Sequence, residues 1–127
     1  MFEVTVDETF SSGHALRGYK GKCENPHGHN YKIRVILAGK QLDSIGLLYD
    51  FRDVKQIIAV TVDRLDHRFI NDIPPFDVIN PSAENLAKYF FDESTRLLAE
   101  RQPGNGVKVT AVTVWETDTT TATYTPD

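Results

Sequence analysis

The sequence predicts an α+β fold in which a four-stranded antiparallel sheet carries two helices on one face, in the order β-β-α-α-β-β. Three observations carry this reading. Segments alternating between apolar and polar residues lie at both ends of the 127-residue chain. Segments with helical spacing of apolar residues occupy the middle. Proline and glycine mark the boundaries between them.

Phe2, Val4 and Val6 alternate with Glu3, Thr5 and Asp7, giving a first strand that can continue through Phe10 towards His14. Residues 15–28, rich in Gly, Lys and Asn, read as a loop. Asn30 to Ala38 reads as a second strand, with His27 and His29 at its start. Gly39 to Gly46 is a connection. Asp50 is placed to cap a helix reaching Leu65, with Val54, Ile57, Ile58 and Val62 on its apolar side. A short helical turn is expected from Asp66 to Ile70, ending near Pro74-Pro75. Ser82, after Pro81, caps a second helix to Glu100, and Glu84 sits in its dipole-favoured first turn. Leu86, Tyr89, Phe90, Leu97 and Leu98 form its stripe, and Pro103-Gly104 stops it. Val107 to Glu116 and Thr119 to Thr125 are the last two strands, joined at Thr117-Asp118. With no repeat, low-complexity linker or internal boundary, residues 1–127 read as one domain. An open four-stranded sheet has two edges, and such edges are usually covered, so a homo-oligomer with sheets continuing between subunits is expected.

Composition narrows the function classes. Net charge is -4 and the pI about 5.5, which argues against nucleic-acid binding through broad electrostatics. No apolar run approaches a membrane span, and Met1-Phe2-Glu3-Val4 lacks the regions of a signal peptide. A single cysteine allows no internal disulfide, so the cytoplasm is the expected location. Against the acidic total, Arg17, Lys20, Lys22, Lys32 and Arg34 crowd the stretch from His14 to Arg34, with Glu24 the one acid among them. Such a cluster is either a solvated loop or the binding region of an anionic small molecule.

The stretch Cys23-Glu24-Asn25-Pro26-His27-Gly28-His29 places a lone thiol and two imidazoles within seven residues. In an extended chain, His27 and His29 project from one face. A hairpin between the first two strands would set His14 opposite them. Three neutral histidines with an open position are the usual catalytic zinc arrangement. The competing reading is a closed structural zinc site that adds Cys23, but a chain this long does not need a metal staple. Beside cations and a metal, Cys23 is a candidate base or nucleophile. Asp66-His67 is either a capping pair at a helix end or the carboxylate–imidazole half of a proton relay. Glu116 is either an exposed strand end or the acceptor of two parallel hydrogen bonds from the amidine-like edge of a heterocycle.

Several ordered blocks resemble one family nearly from end to end. They are Phe10-Ser11-Ser12-Gly13-His14-Ala15, Cys23 with His27-Gly28-His29-Asn30-Tyr31, Asp50-Phe51, Leu65-Asp66-His67, Ile70-Asn71, Asn80-Pro81-Ser82, Glu84-Asn85 and Glu116-Thr117. The chain resembles the 6-pyruvoyltetrahydropterin synthase and 6-carboxytetrahydropterin synthase family. It departs at Ser12-Gly13, where the family often has Ala-Ala. The resemblance implies the tunnelling fold, in which sheets of several subunits join into a barrel, as a trimer or dimer of trimers with active sites between subunits. It implies zinc on His14, His27 and His29, with Cys23 as proton acceptor. Asp66 and His67 would relay protons, and Glu116 would anchor the pterin ring and join the relay. The implied substrate is 7,8-dihydroneopterin triphosphate, whose triphosphate suits the cationic stretch. The short chain and the block LDHRFINDIP resemble the bacterial branch, which forms 6-carboxy-5,6,7,8-tetrahydropterin for queuosine and other deazapurines. The other branch forms 6-pyruvoyltetrahydropterin. Readings of a different class are a zinc hydratase or hydrolase, with Cys23 a bystander, and a pterin-binding protein without turnover.

Overall fold

In the computed structural model, residues 1–21 and 24–127 are described, and Cys23 lies outside them. Strands β1 (Phe2–His14) and β2 (His27–Gly39) form a long antiparallel hairpin. Its register runs unbroken from Phe2 opposite Gly39 to His14 opposite His27. Helices α1 (Phe51–Leu65) and α2 (Ala83–Glu100) follow, with a 3₁₀ turn at Ile70–Asp72 between them. Strands β3 (Lys108–Thr117) and β4 (Thr120–Tyr124) complete an antiparallel sheet ordered β1-β2-β3-β4. The β2–β3 pairing shifts register at Ile36/Leu37 and the β3–β4 pairing at Trp115/Thr117.

Alternation decides which face is buried. Val6, Phe10, Tyr31, Ile33, Val35, Leu37, Val112 and Val114 point to the helices, where Val54, Ile57 and Ile58 of α1 and Leu86, Phe90 and Leu98 of α2 meet them. Helix α1 lies over β1, and α2 over β3 and β4. Both predicted caps are present: Asp50 accepts from the Arg52 N–H and Ser82 from the Asn85 N–H. The helices are pinned to each other by Arg64, which donates to the Tyr89 hydroxyl at 3.2 Å and to Glu93 Oε2 at 3.1 Å. Burial alone would raise the Glu93 carboxyl, but hydrogen bonds from Arg96 and Arg64 outweigh it and hold the group below its ordinary range. Among the described residues, no helix is long and apolar enough to cross a membrane.

Two expectations are corrected. Strand β2 starts at His27, so the loop ends before it rather than at residue 28. Gly28 and Asn30 are poor strand formers, and pairing with β1 overrides that preference. The second correction concerns Asp66 to Ile70, which does not form a helical turn. The backbone leaves α1 at Asp66, takes a positive φ of 56° at His67, and runs beside the outer edge of β1. There the His67 N–H donates to the Ser11 carbonyl at 2.6 Å, and the Gly13 N–H donates to the Arg68 carbonyl at 3.0 Å. Gly13 and Phe69 form a parallel bridge. The Ser12 hydroxyl donates to the Leu65 carbonyl. These bonds satisfy edge groups of β1 that a helical turn would leave bare.

Candidate metal centre

The β1–β2 register builds the site. His14 ends β1 opposite His27, the first residue of β2, and Ser12 stands opposite His29. All three rings point to the helix side, with centroids 4.6, 5.0 and 4.8 Å apart for the pairs His14–His27, His14–His29 and His27–His29. Glu116 follows Val114 on the same face of β3. The ligating atoms of His14, His27, His29 and Glu116 all lie within 4.8 Å of one another.

Hydrogen-bond partners assign the ring protons. His14 Nδ1 is 2.8 Å from the Pro81 carbonyl, and His27 Nδ1 is 2.7 Å from the Asn25 carbonyl. A carbonyl only accepts, so both Nδ1 atoms carry a proton, and in the neutral rings the lone pair is left on Nε2. Those two Nε2 atoms face each other at 3.0 Å. Two lone pairs at that distance need a cation between them, a metal ion or a proton. Two imidazole nitrogens bound to one tetrahedral zinc at about 2.0–2.1 Å stand about 3.3 Å apart. His29 Nε2 is buried without a hydrogen-bond partner among the described residues. Glu116 Oε1 lies 3.3 Å from it but is not aligned to bond. The donor set therefore fits a metal ion: two aimed lone pairs, one orphaned ring nitrogen and an adjacent carboxylate.

Burial lowers the pKa of His14, against the Pro81 carbonyl and Glu116, which raise it. Burial also lowers that of His29, against Glu116. Both rings are thus held neutral, the form that ligates. Tyr31 packs edge-on against His14 and His29, with centroids 5.9 and 5.5 Å away, and burial pushes its phenol far up, so it stays protonated.

Asp66 and His67 sit across β1 from this cluster. His67 Nδ1 is 3.0 Å from Asp66 Oδ2, while Asp66 Oδ1 accepts the Ser11 N–H at 2.9 Å. The Ser11 N–H, then the His67 ring, hold the Asp66 carboxyl below its ordinary range. The His67 side chain is 80% exposed, free to meet a ligand. No hydrogen bond joins this pair to the three histidines among the described residues. Of the described cluster residues, His29 lines a groove of about 530 Å³ that His67 and Arg68 also line.

The cationic stretch is largely spent elsewhere. The Arg17 guanidinium donates to the carbonyls of Ile79, Asn71 and Phe76. Lys32 and Arg34 point to the opposite face of the sheet, where both lie over Trp115 and Arg34 pairs with Asp7. Lys20 is exposed, and Lys22 lies outside the described residues. The cation that lines the groove is Arg68, which the sequence reading passed over because it lies 34 residues beyond the end of that stretch.

An α+β scaffold presenting three clustered histidines beside a carboxylate at the end of its sheet defines a candidate metalloprotein. The chain belongs to the 6-pyruvoyl tetrahydropterin synthase family, which it matches over residues 3–127. It is 30% identical to a 6-carboxy-5,6,7,8-tetrahydropterin synthase of Haemophilus influenzae, over 98% of this chain and 99% of that one. It is 35% identical to a 6-pyruvoyl tetrahydrobiopterin synthase of Dictyostelium discoideum, over 71% and 76%. The solved 6-pyruvoyl tetrahydropterin synthase of Caenorhabditis elegans superposes with a TM-score of 0.82 at 29% identity, over 100% of this chain and 98% of that one. The family resemblance and the four-stranded α+β arrangement are both borne out.

Proposed function

We propose that the protein is a zinc-dependent lyase acting on 7,8-dihydroneopterin triphosphate, forming 6-carboxy-5,6,7,8-tetrahydropterin with release of acetaldehyde and triphosphate, in the service of queuosine and other deazapurines. The observation that carries the metal part is the pair of Nε2 lone pairs facing each other at 3.0 Å beside the orphaned Nε2 of His29. The lyase part is supported by family membership and by the relatives that carry this name. Zinc held by His14, His27 and His29 would supply Lewis-acid polarisation of the substrate's side-chain hydroxyls.

The protein's own groups divide the remaining work. Cys23, six residues before His29, is the proton acceptor in this reading. His67, paired with Asp66 through Nδ1 and lining the groove, is the second proton carrier in this reading. The Glu116 carboxylate takes two parallel hydrogen bonds from the heterocycle edge. Arg68, which also lines the groove, takes the anionic end of the substrate.

Incubating zinc-loaded protein with 7,8-dihydroneopterin triphosphate and weighing the product tests this directly. The mass of the carboxypterin, with acetaldehyde released, is expected. The mass of 6-pyruvoyltetrahydropterin would move the protein to the second reading, which the Dictyostelium and Caenorhabditis relatives favour. Binding without turnover would overturn both.

A further inference from the structure

His14 is fully buried, and the carbonyl that fixes its ring comes from Pro81, 67 residues away in the chain. Pro81 lies in an irregular connection, so no strand or helix ladder sets the direction of that carbonyl. Side-chain amides set it instead. Asn80 Oδ1 accepts the Arg17 N–H and Asn80 Nδ2 donates to the Arg17 carbonyl, both at 2.9 Å. On its other side, the Asn80 carbonyl accepts Asn85 Nδ2 at 2.8 Å, and the Asn85 N–H donates to the Ser82 hydroxyl. Pro81 sits between these two anchors with its φ locked by the ring. Asn71 repeats the pattern one step nearer the ligand: its amide makes both bonds to the backbone of Ala15, each at 2.9 Å. The chain leaving His14 is thus tied to the same loop that supplies the carbonyl to its ring.

We propose that Asn80 is a positioning residue for His14: its two-point bond to Arg17 holds the Pro81 carbonyl on Nδ1, which keeps the ring proton off Nε2. The proposal rests on reading His14 as a metal ligand. The physical reason is the choice open to a neutral imidazole, which carries its proton on either nitrogen. A buried ring that loses its Nδ1 acceptor can move the proton to Nε2, and a protonated nitrogen cannot ligate. Partners of this kind typically change metal affinity about 10–100-fold.

The test uses the full chain with ¹⁵N-labelled histidine. In metal-free protein, long-range ¹⁵N–¹H spectra report which His14 nitrogen carries the proton. Competition with a chromophoric chelator gives the affinity for zinc alone. Asn80→Ala is expected to show His14 as a tautomer mixture and to bind zinc about 10–100-fold more weakly. Asn80→Asp keeps the acceptor for the Arg17 N–H and is expected to recover part of both. A folded Asn80→Ala with His14 wholly Nδ1-protonated and wild-type zinc affinity overturns the proposal, whatever its melting temperature. If Asn80→Ala does not fold, Asn80→Asp, which loses the bond to the Arg17 carbonyl, carries the same two readouts: wild-type tautomer and wild-type zinc affinity there overturn the two-point clamp. His27→Ala separates the underlying reading. It should lose zinc while His14 keeps its tautomer. Equal zinc binding by His27→Ala and wild type overturns the metal assignment, and the tautomer readout still tests the clamp.

Discussion

At the scale of single residues, the histidines do their work through what stands behind them. The motif His27-Gly28-His29 was legible because alternation along a strand is a local property, and His14 because a hairpin brings strand ends together. Their tautomers were not legible. The Asn25 carbonyl is two residues from His27 but becomes an acceptor only once the loop turns, and the Pro81 carbonyl arrives from 67 residues away. Arg68 is illegible for a related reason: it lies 34 residues beyond the cationic stretch, and only the docking of residues 66–69 along β1 brings it to the lining of the groove. Two predictions belong here. Cys23→Ala should retain its zinc by elemental analysis and lose about 10²–10⁴-fold in turnover, the usual worth of a general base. Wild-type turnover would remove Cys23 from the chemistry. Arg68→Ala should raise KM for the triphosphate substrate about 10–150-fold, since a charge-assisted hydrogen bond contributes about 1.5–3 kcal/mol. The Kd of dihydroneopterin, which has no triphosphate to lose and so serves as a binding probe, should stay where it is. A parallel rise for both would mean that Arg68 supports the groove rather than the anion.

At the scale of elements, both helices and both caps were legible from spacing and cap chemistry, because each signal lies within one turn of the chain. The start of β2 and the course of residues 66–69 were hidden, because pairing with β1 decides them and pairing partners are distant in sequence. The Arg64–Glu93 pin between α1 and α2 leads to a pH prediction. The folded-state pKa of Glu93 is depressed, so its contribution is present above the ordinary value of 4.5 and is lost as pH falls through the lower folded value. Glu93→Gln should therefore melt lower than wild type at pH 7, by up to about 1 kcal/mol, or about 4 °C. The gap should narrow as pH falls below 4.5 and through that lower folded value. Calorimetry at pH 7 and along an acid series checks this, and a gap that stays constant into acid would show that the loss is one of packing rather than charge.

At the scale of the whole molecule, the edge of the sheet is unevenly protected. Residues 66–69 cover β1 at Ser11–Gly13, and Phe2 to Thr9 has no such cover among the described residues. Phe2, Leu42, Leu47 and Phe51 are exposed together around a second groove at that same end of β1. Open edge and apolar rim together suit a second copy of the chain. We propose that subunits join their sheets there, as the tunnelling fold implies, to a trimer or dimer of trimers. Sedimentation should return a mass several times 14.3 kDa at micromolar concentration, and a monomer would defeat this.

The long reach from Pro81 to His14 also orders events in time. The hairpin that gathers the three rings closes a short loop, whereas the carbonyl that settles the proton of His14 waits for the start of α2 to dock. If the three histidines hold zinc as proposed, a chain whose second helix has not yet docked would offer rings whose protons are not assigned, and would hold the ion more weakly than the finished fold.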